Sequence, residues 1–79
     1  MIEVRQTAVF RAWTASLKDF QARARVAVRI DRLAEGNPGD VKPVGDGVSE
    51  LRIDYGPGYR LYFTRRGPLL VILDRKSVV

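Results

Sequence analysis

Apolar and polar residues along this chain follow two distinct periods, and the places where the period changes set the expected elements. From Val48 to Tyr55 the apolar residues Val48, Leu51, Ile53 and Tyr55 are interleaved with Glu50, Arg52 and Asp54, the alternation of a half-buried strand. After the turn signal Gly56-Pro57-Gly58 the alternation resumes, with Leu61 and Phe63 on one side and Arg60, Tyr62 and Thr64 on the other. Pairing of the two runs as a hairpin sets Glu50, Arg52, Arg60 and Tyr62 on a single open face, because residues that share a sheet face meet across strands.

Earlier in the chain the period lengthens. Ile2 to Arg5 reads as a short first strand, and Thr7 is an N-cap for a helix over Ala8 to Leu17, where Phe10, Trp13 and Leu17 recur at helical spacing. Ser16 and Asp19 mark a second helix start. Phe20, Ala24, Ala27, Ile30 and Ala34 line one expected side of it, Val26 and Leu33 widen that stripe, and Arg25, Arg29 and Arg32 lie opposite. Gly36-Asn37-Pro38-Gly39 stops the helix, and a loop through Pro43 and Gly45 leads into the hairpin. The continuous apolar run Leu69 to Leu73 reads as a strand inside a small sheet. The expectation is an α+β, two-layer fold of order β-α-α-β-β-β: a small, mainly antiparallel sheet with both helices on one face.

Composition narrows the chemistry. Seventy-nine residues make one domain, 1–79, and a chain of this size buries only about 60% of its unfolded surface. With neither cysteine nor histidine, disulfides, thiolate or imidazole metal ligation and every Ser-His or Cys-His nucleophile are excluded. The net charge is +5, which favours anionic partners, nucleic acid above all. From Arg60 onward the bias is local, with Arg60, Arg65, Arg66, Arg75 and Lys76 against Asp74. No apolar run approaches the roughly 18 to 20 residues that span a bilayer, and the first residues lack a signal-peptide pattern. The expected location is the cytoplasm, with no membrane contact.

The hairpin face is the candidate site. Arg52, Arg60 and Lys76 are placed to neutralise phosphates, Glu50 is a candidate base, and Tyr55, Tyr59 and Tyr62, with Arg65 and Arg75, are candidate RNA contacts through stacking and charge. A charged strand face is also what the solvated side of a two-layer fold looks like. The Arg25, Arg29 and Arg32 stripe reads first as the wet side of a helix, with nucleic-acid or protein contact as the second reading. Gly56-Pro57-Gly58 is a turn and not a phosphate loop, since no Gly-Lys-Ser/Thr follows it.

The strings FRAW, RIDRLAEGNPGDVKPVGDGVSELRIDYGPGYRLYF and LLVIL resemble the RelE/ParE superfamily of toxins from type II toxin-antitoxin modules, in particular its phage-type, HigB-like branch of addiction module killer proteins. The resemblance covers about residues 2 to 73. It implies a RelE-like fold and an mRNA interferase that cleaves messenger RNA, often on the translating ribosome, by attack of the ribose 2′-hydroxyl without metal or other cofactor. It also implies a cognate antitoxin, commonly of helix-turn-helix type, in a hetero-oligomer or beside a homodimer. Matched by position, Arg52 and Arg60 fall on basic strand residues used at the scissile phosphate, Glu50 on a base or second basic position, and Lys76 on a basic residue after the last strand. The family pattern continues with a turn and a C-terminal helix where this sequence reads Leu73-Asp74-Arg75-Lys76-Ser77-Val78-Val79, so the expected domain lacks that helix. A non-catalytic remnant that binds antitoxin or RNA, and a ParE-like gyrase inhibitor, are the alternatives.

Overall fold

In a computed structural model the chain is described over residues 2–77, the last two by their backbone alone. A strand β1 (Glu3–Gln6) leads into helices α1 (Ala8–Ser16) and α2 (Phe20–Ala34), followed by β2 (Val41–Gly45), β3 (Val48–Ile53), β4 (Tyr59–Arg66) and β5 (Leu69–Ser77). The strands form one sheet in the order β1-β5-β4-β3-β2. Three neighbouring pairs are antiparallel and β1 runs parallel to β5. The result is an α+β fold with two helices and a five-stranded, mostly antiparallel sheet, and no helix among the described residues is long and apolar enough to cross a membrane.

Both helices begin at side-chain caps. Thr7 Oγ1 accepts from the Phe10 N–H at 3.2 Å and donates to the Leu73 carbonyl at 2.7 Å, so one hydroxyl both starts α1 and ties it to β5. Asp19 accepts from the N–H groups of Gln21 and Ala22 at the start of α2. The core lies between helices and sheet, where Phe10, Leu51, Leu61, Leu70 and Ile72 are the largest fully buried side chains. Trp13 packs between Phe10 and Tyr59, with ring centroids 5.6 and 5.7 Å away, so Trp13 extends the core as its spacing indicates.

The second helix corrects the sequence reading. Its buried residues are Ala22, Val26 and Leu33, while Phe20 is 79% exposed and Ala24 and Ala27 are exposed as well. The core-facing stripe is therefore turned by about two-fifths of a turn from the expected Phe20-Ala24-Ala27 line. Nine apolar residues spread over more than half the helix circumference offer two rival stripes, and the sheet takes the one carrying Val26 and Leu33. Burying those two side chains removes more apolar area from water than burying alanines.

Two strand assignments also change. The segment expected as a loop through Pro43 and Gly45 is the edge strand β2, paired with β3 from Val41↔Leu51 to Gly45↔Val48. Pro43 has no N–H to donate and is tolerated at an edge. The run expected to end at Leu73 continues to Ser77, because a bulge lets charged residues extend the pairing. The register steps from Phe63↔Ile72 to Tyr62↔Asp74 and leaves Leu73 as the extra residue. That step exchanges the faces: beyond it Arg75 lies opposite Leu61 on the helix side, and the backbone of Lys76 lies opposite Arg60. The Lys76 side chain, Val78 and Val79 lie outside the described residues.

Candidate anion-binding face

On the sheet face turned away from the helices, Glu50 pairs with Lys42 on β2 and with Tyr62 on β4, and Arg52 pairs with Arg60. The strand alternation that sends Leu51 and Ile53 into the core sends Glu50 and Arg52 to this face. Arg52 Nε donates to Glu50 Oε1 at 2.8 Å, and Arg60 Nη1 stands 3.8 Å from Glu50 Oε2. One carboxylate thus aligns two guanidinium groups that, as directly opposed like charges, would otherwise repel each other.

Glu50 is only 4% exposed. The cover is a single layer of neighbouring side chains rather than the protein interior, so the loss of solvation only partly opposes the cations around it. The hydrogen bond from Arg52, then the charges of Arg60, Arg52 and Lys42, hold its carboxyl below the usual carboxylate range. Reciprocally, Glu50 raises the Arg52 guanidinium further above its ordinary value. In this state Glu50 is a poor proton acceptor and a good positioning group for two cations.

The other candidates separate into those the fold brings to this face and those it does not. Tyr62 is here, half-buried beside Glu50. Tyr59 is a core residue, nearly buried against Trp13, which corrects its reading as an RNA contact; its place directly opposite Ile53 assigns it to the inner face. Arg75 is not on this face. Its guanidinium lies 5.3 Å from the Trp13 ring centre on the helix side, where the β5 bulge sends it. Tyr55 follows β3 and turns toward α2, its hydroxyl donating to Asp19 Oδ2 at 3.0 Å. Arg65 is at the far end of β4, where its Nε donates to the Gly67 carbonyl of the β4–β5 turn, so it lies apart from the Arg52–Arg60 pair.

One functional feature has no counterpart in the spacing rules. Arg29 on α2 donates from Nη1 to the Arg52 carbonyl at 2.7 Å and from Nη2 to the Pro38 carbonyl at 3.0 Å. A helix arginine thereby fixes the backbone that carries Arg52. The Gly39 that follows Pro38, where a proline-glycine stop is visible in the sequence, is the only signal of the close approach.

Beside Arg52 and Arg60 the surface dips into an open cleft of about 340 Å³ that also takes in Asp40, Ile53, Asp54 and Gly58. The arrangement can hold an anion between paired arginines with a carboxylate behind them. It defines a small α+β protein with a basic sheet face. Comparison with described protein families gives no match. The chain is 47% identical over 72 residues to an uncharacterized protein of Haemophilus influenzae, a match that takes in 91% of this chain and 73% of that protein, and it belongs to the same family.

Proposed function

We propose that the protein is a toxin of a type II toxin-antitoxin module, of RelE/ParE type, that cleaves messenger RNA at the Glu50, Arg52, Arg60 and Tyr62 face. The observation that carries the reading is the cross-strand pair Arg52 and Arg60 aligned by one shared carboxylate. Two strand-borne arginines at a fixed separation suit the growing negative charge of a phosphorane. The order of elements, with two helices between the first strand and an antiparallel meander, accords with a RelE-like fold.

In this reading the scissile phosphate draws Arg52 away from Glu50. Freed of its strongest partner but still covered, the carboxylate loses the interaction that most lowers its pKa and becomes a better base. It takes the proton of the ribose 2′-hydroxyl as that oxygen attacks phosphorus. The bond from phosphorus to the 5′-oxygen breaks, leaving a 2′,3′-cyclic phosphate, and the proton that the 5′-oxygen takes up is assigned to Lys76, whose backbone pairs with that of Arg60. Glu50 held below the carboxylate range also favours a second reading, a chain that binds RNA without turnover.

Expression in bacteria lacking a cognate antitoxin, with growth followed and transcript 5′ ends mapped, separates these readings. Growth arrest with new 5′ ends that disappear in Arg60→Ala is the expected result. Normal growth with folded protein that binds RNA favours the non-catalytic reading, and cleavage unchanged in a folded Arg60→Ala removes this face from the chemistry. Arrest without new transcript ends, accompanied by loss of gyrase supercoiling, points instead to gyrase as the target.

A further inference from the structure

The flank of α2 that carries Arg25, Arg29 and Arg32 does not face empty solvent. Together with the end of β3 it forms a groove of about 540 Å³, floored by Val28 and Ile53 and bordered by Asp54. The three arginines stand at i, i+4 and i+7 and so share one side of the helix over about 10 Å of its length.

Arg25 and Arg29 are held in place without being paired to a carboxylate. Arg29 spends its Nη donors on two backbone carbonyls, not on a carboxylate. Arg25 lies 4.8 Å from the centre of the Tyr55 ring, and that ring is anchored through its hydroxyl to Asp19. Among the described residues the ion pairs involve Arg5, Arg52, Arg60 and Arg75, and none of the three α2 arginines. Charges three or four residues apart on a helix interact; four after Arg25 stands another arginine, and only Arg32 has an acid, Glu35, at such a spacing further along.

The groove also joins the candidate site. Ile53 and Asp54 line both this groove and the cleft containing Arg52 and Arg60, so the two form a continuous depression around the end of β3. The junction itself carries Asp40 and Asp54. An acidic peptide would meet those carboxylates with like charge. A single RNA strand alternates phosphates with riboses and bases whose hydroxyl and amino groups donate to carboxylates, and the apolar floor suits a base or ribose.

We propose that the α2–β3 groove is a second subsite for single-stranded RNA, in which Arg25 and Arg32 hold phosphates of the strand whose scissile phosphate lies at Arg52 and Arg60, while Arg29 holds the groove wall in place. This rests on the reading of that face as an RNA site. It makes Arg25 and Arg32 determinants of the length of RNA engaged.

The test is fluorescence anisotropy with labelled single-stranded RNAs of about 4 and about 16 nucleotides, the range over which single-strand grooves engage their ligands. Titrations at several salt concentrations would use wild type, Arg25→Ser/Arg32→Ser, Arg25→Lys/Arg32→Lys and Arg60→Ala. The serine pair is expected to weaken the longer RNA by about tenfold and to lower its salt slope by about 1.4, two phosphate contacts at roughly 0.7 each. The shorter RNA should be unaffected and the lysine pair should restore the slope. Arg60→Ala should weaken both lengths. If the serine pair binds the longer RNA like wild type while Arg60→Ala does not, the groove is a solvated helix face and the face reading survives. If wild type binds neither RNA, the face reading and the groove proposal fall together. Polyglutamate binding lost in the serine pair, with RNA binding intact, overturns RNA as the occupant in favour of an acidic peptide. Circular dichroism melts check that the exposed substitutions leave the fold in place.

Discussion

At the scale of single residues, Glu50 and Gly39 carry the clearest consequences. Glu50 titrates below its ordinary value in the folded protein, so its contribution to stability is complete above the unfolded-state value near 4.3 and is lost as pH falls through the lower folded-state value. Urea unfolding of wild type and Glu50→Gln across pH should therefore show a stability difference that is constant near neutrality and shrinks on acidification below about pH 4. A difference that grows on acidification would contradict the ion-pair assignment. Gly39 has φ +76°, and a Cβ there would stand 3.1 Å from Arg29 Nη2. Gly39→Ala combines a left-handed backbone, costing about 1–2 kcal/mol, with displacement of the guanidinium that holds the Arg52 backbone. Thermal melts should show the loss of stability, and RNA binding should weaken with it if Arg29 positions Arg52. That Arg52 and Arg60 share one face was legible in the sequence, because alternation sets the face of each strand; their direct pairing was not, because the connection between the strands sets the register. Arg29 was not, because a helix arginine that reaches a carbonyl 23 residues away leaves no local period.

At the scale of elements, α2 separates what pattern can say from what packing decides. Its extent and Asp19 cap follow from local chemistry, while the choice between two apolar stripes depends on the shape of the sheet beneath. Phe20→Ser tests the observed choice: with Phe20 on the surface, chemical denaturation should change by about 0.5 kcal/mol or less, whereas a core phenylalanine would cost several times that. By contrast Phe10→Ala, at a fully buried position on α1, should cost about 3–5 kcal/mol, enough to unfold much of the population of a domain this small. Edge strand β2 was illegible because Pro43 and Gly45 are loop-forming residues in sequence, and only pairing with β3 makes them a strand. The bulge at Leu73 was hidden for a similar reason: it is a relation between two strands. Its effect on the site was nevertheless large, since it turns Arg75 toward Trp13 and off the face that carries Arg52 and Arg60.

At the scale of the whole molecule, the two basic regions lie on opposite sides of the sheet layer and meet around the end of β3, so a bound strand would wrap the protein's edge instead of crossing a flat surface. Binding by such a path should depend steeply on ionic strength, because each phosphate engaged releases counterions. Fold class was readable from the order of periods, since strand and helix periods differ enough to survive single exceptions. The path around β3 was not, as it depends on where a helix flank and a strand end come together. The topology also fixes when the molecule can be complete. Strand β5 is made after every other described element yet lies between β1 and β4, and Leu70 and Ile72 supply buried side chains to the core. A chain still emerging from the ribosome cannot close its core until those residues arrive, and joining Gln6 to Ile72 demands a long loop closure that slows the final step. Until β5 docks, β1 and β4 have no strand between them, and the newly made chain leaves the part of its core that Leu70 and Ile72 fill open to water.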